Sequence, residues 1–233
     1  MSCINFYNTN MNSGNNFTRL SFILLLLCLF NQSLSAHTVV TDLEKMKGVD
    51  AALVYLKLGY LHILPLGFDH ILFIVSLFLP NPKLKPILWQ ATAFTVAHTI
   101  TLGLAMYHVI NPPAKIVEPL IAASIMYVAI ENIFSTRLRA SRIGVVFLFG
   151  LVHGMGFASA LGQLGLPQGS YLTSLLMFNI GVELGQISVI LATFFLLAKW
   201  FRDKPYYKSR IVIPLSVLIS LIAGYWLIQR LFF

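Results

Sequence analysis

Charge is what this chain has least of. Only 10% of its 233 residues are charged, against 58% that are hydrophobic, and the mean hydropathy is +0.80. Such a composition excludes an ordinary soluble domain and predicts an integral membrane protein. Cysteine is nearly missing as well, with Cys3 and Cys28 the two copies. Both precede residue 37, in a region expected to be removed or disordered, so neither a disulfide framework nor a thiolate metal site is expected. The sequence also lacks a phosphate-binding glycine loop, a nucleotide motif and a Ser/His/Asp triad, which argues against an ATP-driven system. The formal net charge is +8, but the basic residues lie in short clusters between apolar runs. That arrangement is a topology signal, and no nucleic-acid partner is expected.

The amino terminus reads as targeting information. Residues 1–18 are polar and Asn-rich, Arg19 precedes the apolar run "LSFILLLLCLF", and the small-residue stretch "SLSA" ends at Ala36. This is the order of a secretory signal peptide, with cleavage expected after Ser35; the alternative is an uncleaved anchor. The predicted organisation is a signal peptide over 1–35, a short extracytoplasmic lead-in over 36–55 and an all-α transmembrane bundle over 56–233. Six spans are expected, at about 56–79, 87–108, 117–134, 143–163, 171–198 and 211–229, each near the ~20 residues that a bilayer requires.

The connections support that division. Lys83 and Lys85 follow the first span, Lys115 alone follows the second, and Arg137, Arg139 and Arg142 follow the third. The fourth connection, "GQLGLPQGS", has no basic residue, while the fifth carries Lys199, Arg202, Lys204, Lys208 and Arg210. Basic residues accumulate on the cytoplasmic side, so the alternation predicts a multi-pass protein of the bacterial inner membrane with both mature termini extracytoplasmic.

Polar residues inside the spans converge on one depth. Counting at 1.5 Å per residue puts Asp69, His70, His98, His153 and Glu183 near the midplane, contributed by four spans. Buried carboxylates in low dielectric need a partner, and a divalent cation would neutralise Asp69 and Glu183 together. Imidazole with carboxylate suits nickel, cobalt, zinc or iron(II). The competing reading is that each His hydrogen-bonds a neighbouring helix and each carboxylate is protonated or paired with a His. Around this level, Pro65 and Gly67 predict a break in the first span, which puts His62 toward the outer mouth. Asn179, Glu183 and Gln186 follow i, i+4, i+7 spacing and form one polar stripe, as a pathway would. Glu118 and Glu131 are thirteen residues apart, about 140° around a helix, so they cannot face one site; they are vestibule candidates or interfacial carboxylates. Gly150 with Gly154, and Gly181 with Gly185, make GxxxG motifs that predict close packing. "FTVAH", ending at His98, echoes "FGLVH", ending at His153.

The runs "GFDHILFIVSLFL", "LWQATAFTVAHTITLGLA", "VEPLIAASIMYVAIENIF", "FGLVHGMGFASALGQLGLP" and "FNIGVELGQ" together resemble the HupE/UreJ family, in particular its second branch, over residues 58–200. The resemblance implies a polytopic inner-membrane protein linked to hydrogenase or urease maturation and similar to nickel or cobalt permeases. It also implies a role in transport for His62, Asp69 and His70, although six residues separate His62 from Asp69 here. The expected function is secondary, non-ATP transport of a divalent transition metal, nickel or cobalt before zinc or iron. An intramembrane metal-dependent hydrolase, or a metal-binding assembly factor that moves nothing, is the alternative.

Overall fold

The computed structural model describes residues 48–135, 142–163 and 171–233. The predicted signal peptide, most of the lead-in, and Arg137 and Arg139 lie outside the described residues. Among those described there are seven helices and no strand: α1 (Val49–Ile63), α2 (Phe68–Phe78), α3 (Leu84–Met106), α4 (Ala114–Phe134), α5 (Arg142–Gln163), α6 (Tyr171–Phe201) and α7 (Lys208–Phe232). By length and hydropathy α3, α4, α6 and α7 can each cross a membrane. The α1–α2 pair adds a fifth, broken span, while the apolar part of α5, Arg142–Ala158, is shorter than the others. The all-α membrane bundle expected from composition is therefore present.

Helix α1 begins at Val49, seven residues ahead of the predicted span. Asp50 in its first turn suits the positive end of the helix dipole, and Ala51, Tyr55, Gly59 and Ile63 form one buried ridge at i, i+4 spacing. The expected break follows. Leu64–Pro65 is a cis peptide, and α1 and α2 meet at 66°. Pro65 can donate no backbone hydrogen bond, and a Cβ at Gly67 would strike the His62 carbonyl, so this corner closes only with glycine there.

Three pairings hold the bundle together: α1 on α6, α3 on α5 and α4 on α7. The first two use the predicted small residues. A Cβ at Gly181 would collide with the Leu56 carbonyl and one at Gly59 with the Phe178 carbonyl; Gly185 sits against Ile63. Likewise a Cβ at Gly154 would collide with the His98 carbonyl, and one at Gly150 would come 2.5 Å from the Phe94 carbonyl oxygen. Backbones this close place side chains of neighbouring helices within reach of a common centre. The matched positions, Phe94 with Gly150 and His98 with Gly154, make α3 and α5 parallel. Leu56 with Gly181 and Ile63 with Gly185 make α1 and α6 parallel too.

One end of the bundle is tied by polar contacts. Asn132 Nδ2 donates to the Ser76 carbonyl (2.6 Å), Tyr207 Oη to the Leu79 carbonyl (3.0 Å) and Lys208 Nζ to the Ser135 carbonyl (3.0 Å). These bonds gather the ends of α2 and α4 with the start of α7, and Arg142 brings the start of α5. The α1–α2 pair thus runs from the end where α6 starts to this opposite, basic end, as a broken span does.

Candidate metal centre

The corner at Pro65–Gly67 governs the centre, because it turns the last turn of α1 back against the first turn of α2. His62 and His70 meet ring to ring, with centroids 4.7 Å apart, and His98 of α3 lies 6.2 Å from His62 and 6.3 Å from His70. One nitrogen from each of these three imidazoles lies within 4.8 Å of the others, the single such donor group among the described residues. His153 of α5 flanks them, its ring 5.3 Å from that of His70. His70, His98 and His153 are buried and His62 is partly buried.

Second partners fix the orientation of three of these rings. His70 Nδ1 donates to Asp69 Oδ1 (3.1 Å), which also accepts the His70 backbone N–H (2.9 Å). His98 Nδ1 donates to Asn179 Oδ1 (3.2 Å), and the Asn179 amide is itself oriented because its Nδ2 donates to the Leu175 carbonyl (2.8 Å). His153 Nδ1 donates to the Phe149 carbonyl (2.8 Å). Each acceptor is an oxygen with no proton to give, so the proton sits on Nδ1 and the neutral ring keeps a lone pair on Nε2. Four Nε2 atoms, those of His62, His70, His98 and His153, are buried without a hydrogen-bond partner. A buried polar atom left bare costs about 1–3 kcal/mol, and four near one another call for a ligand. Carboxylate, amide or carbonyl behind Nδ1 with Nε2 free is the usual arrangement of a metal-binding histidine.

The expected residues divide. His70 lies between His98 and His153, with ring centroids 6.3 and 5.3 Å away. His62, which the sequence places toward the outer mouth, instead lies in the donor group with His70 and His98, because the chain turns at Pro65. Asp69 contacts His70 directly, behind the ring. Glu183 is not in the donor group: Asn179, one turn earlier on α6, takes the place opposite His98, and Glu183 accepts a hydrogen bond from Thr92 Oγ1 (2.7 Å). Its Oε2 is buried without a partner. Gln186 Oε1 accepts from Thr95 Oγ1 (3.3 Å), so all three members of the polar stripe hydrogen-bond across to α3. Glu118 is exposed, its backbone carbonyl accepting from Arg230, and Glu131 pairs with Arg142 (2.7 Å).

The rings around the cluster are phenylalanines that the depth count does not single out. The repeated spacing Phe94–His98 and Phe149–His153 was the available signal, since it puts a ring one turn from each imidazole.

The family described as HupE / UreJ protein matches residues 36–230. The chain belongs to the HupE/UreJ family. No curated protein and no solved structure matches it. For this HupE/UreJ protein the nitrogen-rich centre suits a borderline transition metal better than magnesium or calcium, which prefer oxygen.

Proposed function

We propose that this HupE/UreJ protein is a secondary transporter for a divalent transition-metal cation, with nickel or cobalt favoured over zinc or iron(II). The observation that carries the reading is the set of four buried, unpartnered Nε2 atoms drawn from α1, α2, α3 and α5. A site assembled from separate helices can be opened by moving one against another, which suits an ion that is bound and then let go. His62, His70 and His98 would hold the cation, with His153 beside them, while Asp69 and Asn179 raise the basicity of the rings they touch. Metal release would be favoured by protonation of the same nitrogens, so protons or the membrane potential can drive the cycle without ATP. The basic residues Lys83, Lys85, Arg142, Lys208 and Arg210 support an orientation with the tied end in the cytoplasm of a bacterial inner membrane and both mature termini outside. The family resemblance points to hydrogenase or urease maturation as the destination of the metal.

The test is accumulation of nickel, cobalt, zinc and iron, each measured separately, in cells with wild type or His70→Ala at matched membrane expression. One metal should accumulate in the wild type and fall to the vector level in the variant, a loss of at least about tenfold in binding from one missing ligand. Wild-type uptake equal to the vector, with metal retained by the purified protein, would reject transport in favour of an assembly factor or an intramembrane hydrolase.

A further inference from the structure

The metal centre leaves Glu183 unused. This residue lies twelve positions past Tyr171 at the start of α6, about 18 Å along the helix. Its hydrogen-bond donor, Thr92, lies eight positions past Leu84, about 12 Å from the basic end of α3. Both fall within the ~30 Å of hydrocarbon that α3 and α6 are long and apolar enough to cross. Thr92 is exposed, and the exposed residues next to the pair are apolar: Val96 one turn on along α3, and Ile180 and Leu184 on α6. The seam between α3 and α6 therefore opens toward lipid with a carboxyl in it.

Thr92 Oγ1 donates to Glu183 Oε1, whereas Oε2 is buried and has no partner. Among the described residues the ion pairs are His70–Asp69, Arg142–Glu131 and Arg202–Asp203, and Glu183 belongs to none of them. The titratable groups on the helices packed against α6 are placed elsewhere. On α1, Asp50 and Lys57 are exposed, Tyr55 sits in the buried ridge, Tyr60 donates to Ser188 and His62 belongs to the donor group. On α2, Asp69 and His70 hold each other; on α3, Lys85 is exposed and His98 is bonded to Asn179. A carboxylate without a counter-charge is expensive in hydrocarbon, and the uncharged acid costs far less. Since Oε1 already accepts from Thr92, the bare Oε2 is the oxygen left for a proton.

We propose that Glu183 is the site of the coupling proton, a carboxylic acid separate from the metal centre that holds its proton on Oε2 and gives it up during the transport cycle. The coupling role rests on the transport reading. A proton and a metal compete for the same imidazole nitrogen, but a proton on Glu183 leaves the donor group free, so both can be bound at once. The two sites are linked through α6. Asn179, one turn before Glu183, holds His98 across the same seam, and loss of the Glu183 proton would put an unpaired charge there. Parting α3 from α6 to relieve that charge would also free the His98 ring.

The test is dicyclohexylcarbodiimide, an apolar reagent that reaches acids from the lipid and reacts with their protonated form. The carboxyl O–H adds across one C=N bond, oxygen to carbon and proton to nitrogen, and the acyl group then shifts from oxygen to nitrogen with nothing lost. In membranes holding the full-length protein, peptide mapping by mass spectrometry should find the adduct on Glu183 at neutral pH and less of it as pH rises. Added sodium or nickel should leave the yield unchanged. Glu183→Gln, which keeps the shape of the side chain and an oxygen for Thr92, should bind nickel as the wild type does and lose the uptake into vesicles that a pH gradient drives. The proposal is overturned by absence of the adduct from Glu183, by its suppression with sodium or nickel, or by pH-driven uptake at the wild-type rate in folded Glu183→Gln. If the wild type moves no metal although Glu183 is labelled, the transport reading falls and the coupling role with it, while the protonated acid stands.

Discussion

At the basic end, Arg142 donates to Glu131 Oε2 (2.7 Å) and Asn132 Oδ1 (3.2 Å), and Asn132 passes the connection on to the Ser76 carbonyl. At the centre of the bundle, His70, His98 and His153 are as buried as Arg142, yet their Nε2 atoms, with that of the partly buried His62, bond to nothing. In the first region hydrogen bonds run between helices and hold α2, α4 and α5 in place. In the second they run from Nδ1 to Asp69 and Phe149 on the ring's own helix and to Asn179 across on α6, which orients the rings and leaves their outer nitrogens free. Polarity joined to a partner fastens the fold, and polarity held open at an energetic cost is kept for something else.

The sharpest way to break this comparison is to remove one residue from each region and compare stability with metal binding. Arg142→Met should destabilise the protein by about 3 kcal/mol, because Glu131 is left partly buried without its cation. Its metal affinity should stay near the wild-type value. His62→Leu should do the reverse, leaving the metal-free protein as stable as the wild type or more so, since a bare buried nitrogen is replaced by carbon. Thermal unfolding in detergent with and without metal reads both effects: metal should raise the midpoint of Arg142→Met and no longer raise that of His62→Leu. Equal destabilisation by the two variants would mean that the histidines are structural after all.

A smaller effect is expected one layer out. Asn179 carries no charge and touches the site only through His98, so Asn179→Leu should lower metal affinity about tenfold to a hundredfold by freeing that ring. Asn179→Asp keeps an oxygen opposite Nδ1 and should recover most of the loss. Nitrogen chemical shifts of His98 give a readout independent of affinity: the Nδ1-protonated tautomer should dominate in the wild type and in Asn179→Asp, and both tautomers should appear in Asn179→Leu.

Much of this was legible in the sequence because membrane helices leave few choices. Apolar runs and alternating basic loops set the bundle, and a fixed rise per residue brought His70, His98 and His153 to one level without any tertiary information. Depth, however, is a single coordinate. It could not say that Asn179 rather than Glu183 would face His98, since the two are one turn apart on α6 and nearly share a face. Pro65 and Gly67 announced a break but not its angle, and the 66° turn is what carries His62 from the expected mouth into the cluster. The rings around the cluster were written in the Phe-to-His spacings, but phenylalanine in an apolar helix reads as packing until its neighbours are known.

The smallest expected effect lies at the basic end. Tyr207, between α6 and α7, donates its hydroxyl to the Leu79 carbonyl, and burial pushes its pKa up to about 12. Tyr207→Phe should cost about 1 kcal/mol, one hydrogen bond with the carbonyl left unsatisfied. The pH dependence separates this from lost packing. An unfolded tyrosine ionises near its ordinary value of about 10, so the contribution of Tyr207 is complete below that pH and is lost as pH rises through the folded value. Between those limits the wild type should lose stability more steeply than Tyr207→Phe, and the two unfolding curves should draw together. Metal binding at neutral pH should be the same in both, because this hydroxyl belongs to the region where hydrogen bonds fasten helices, away from the histidine cluster.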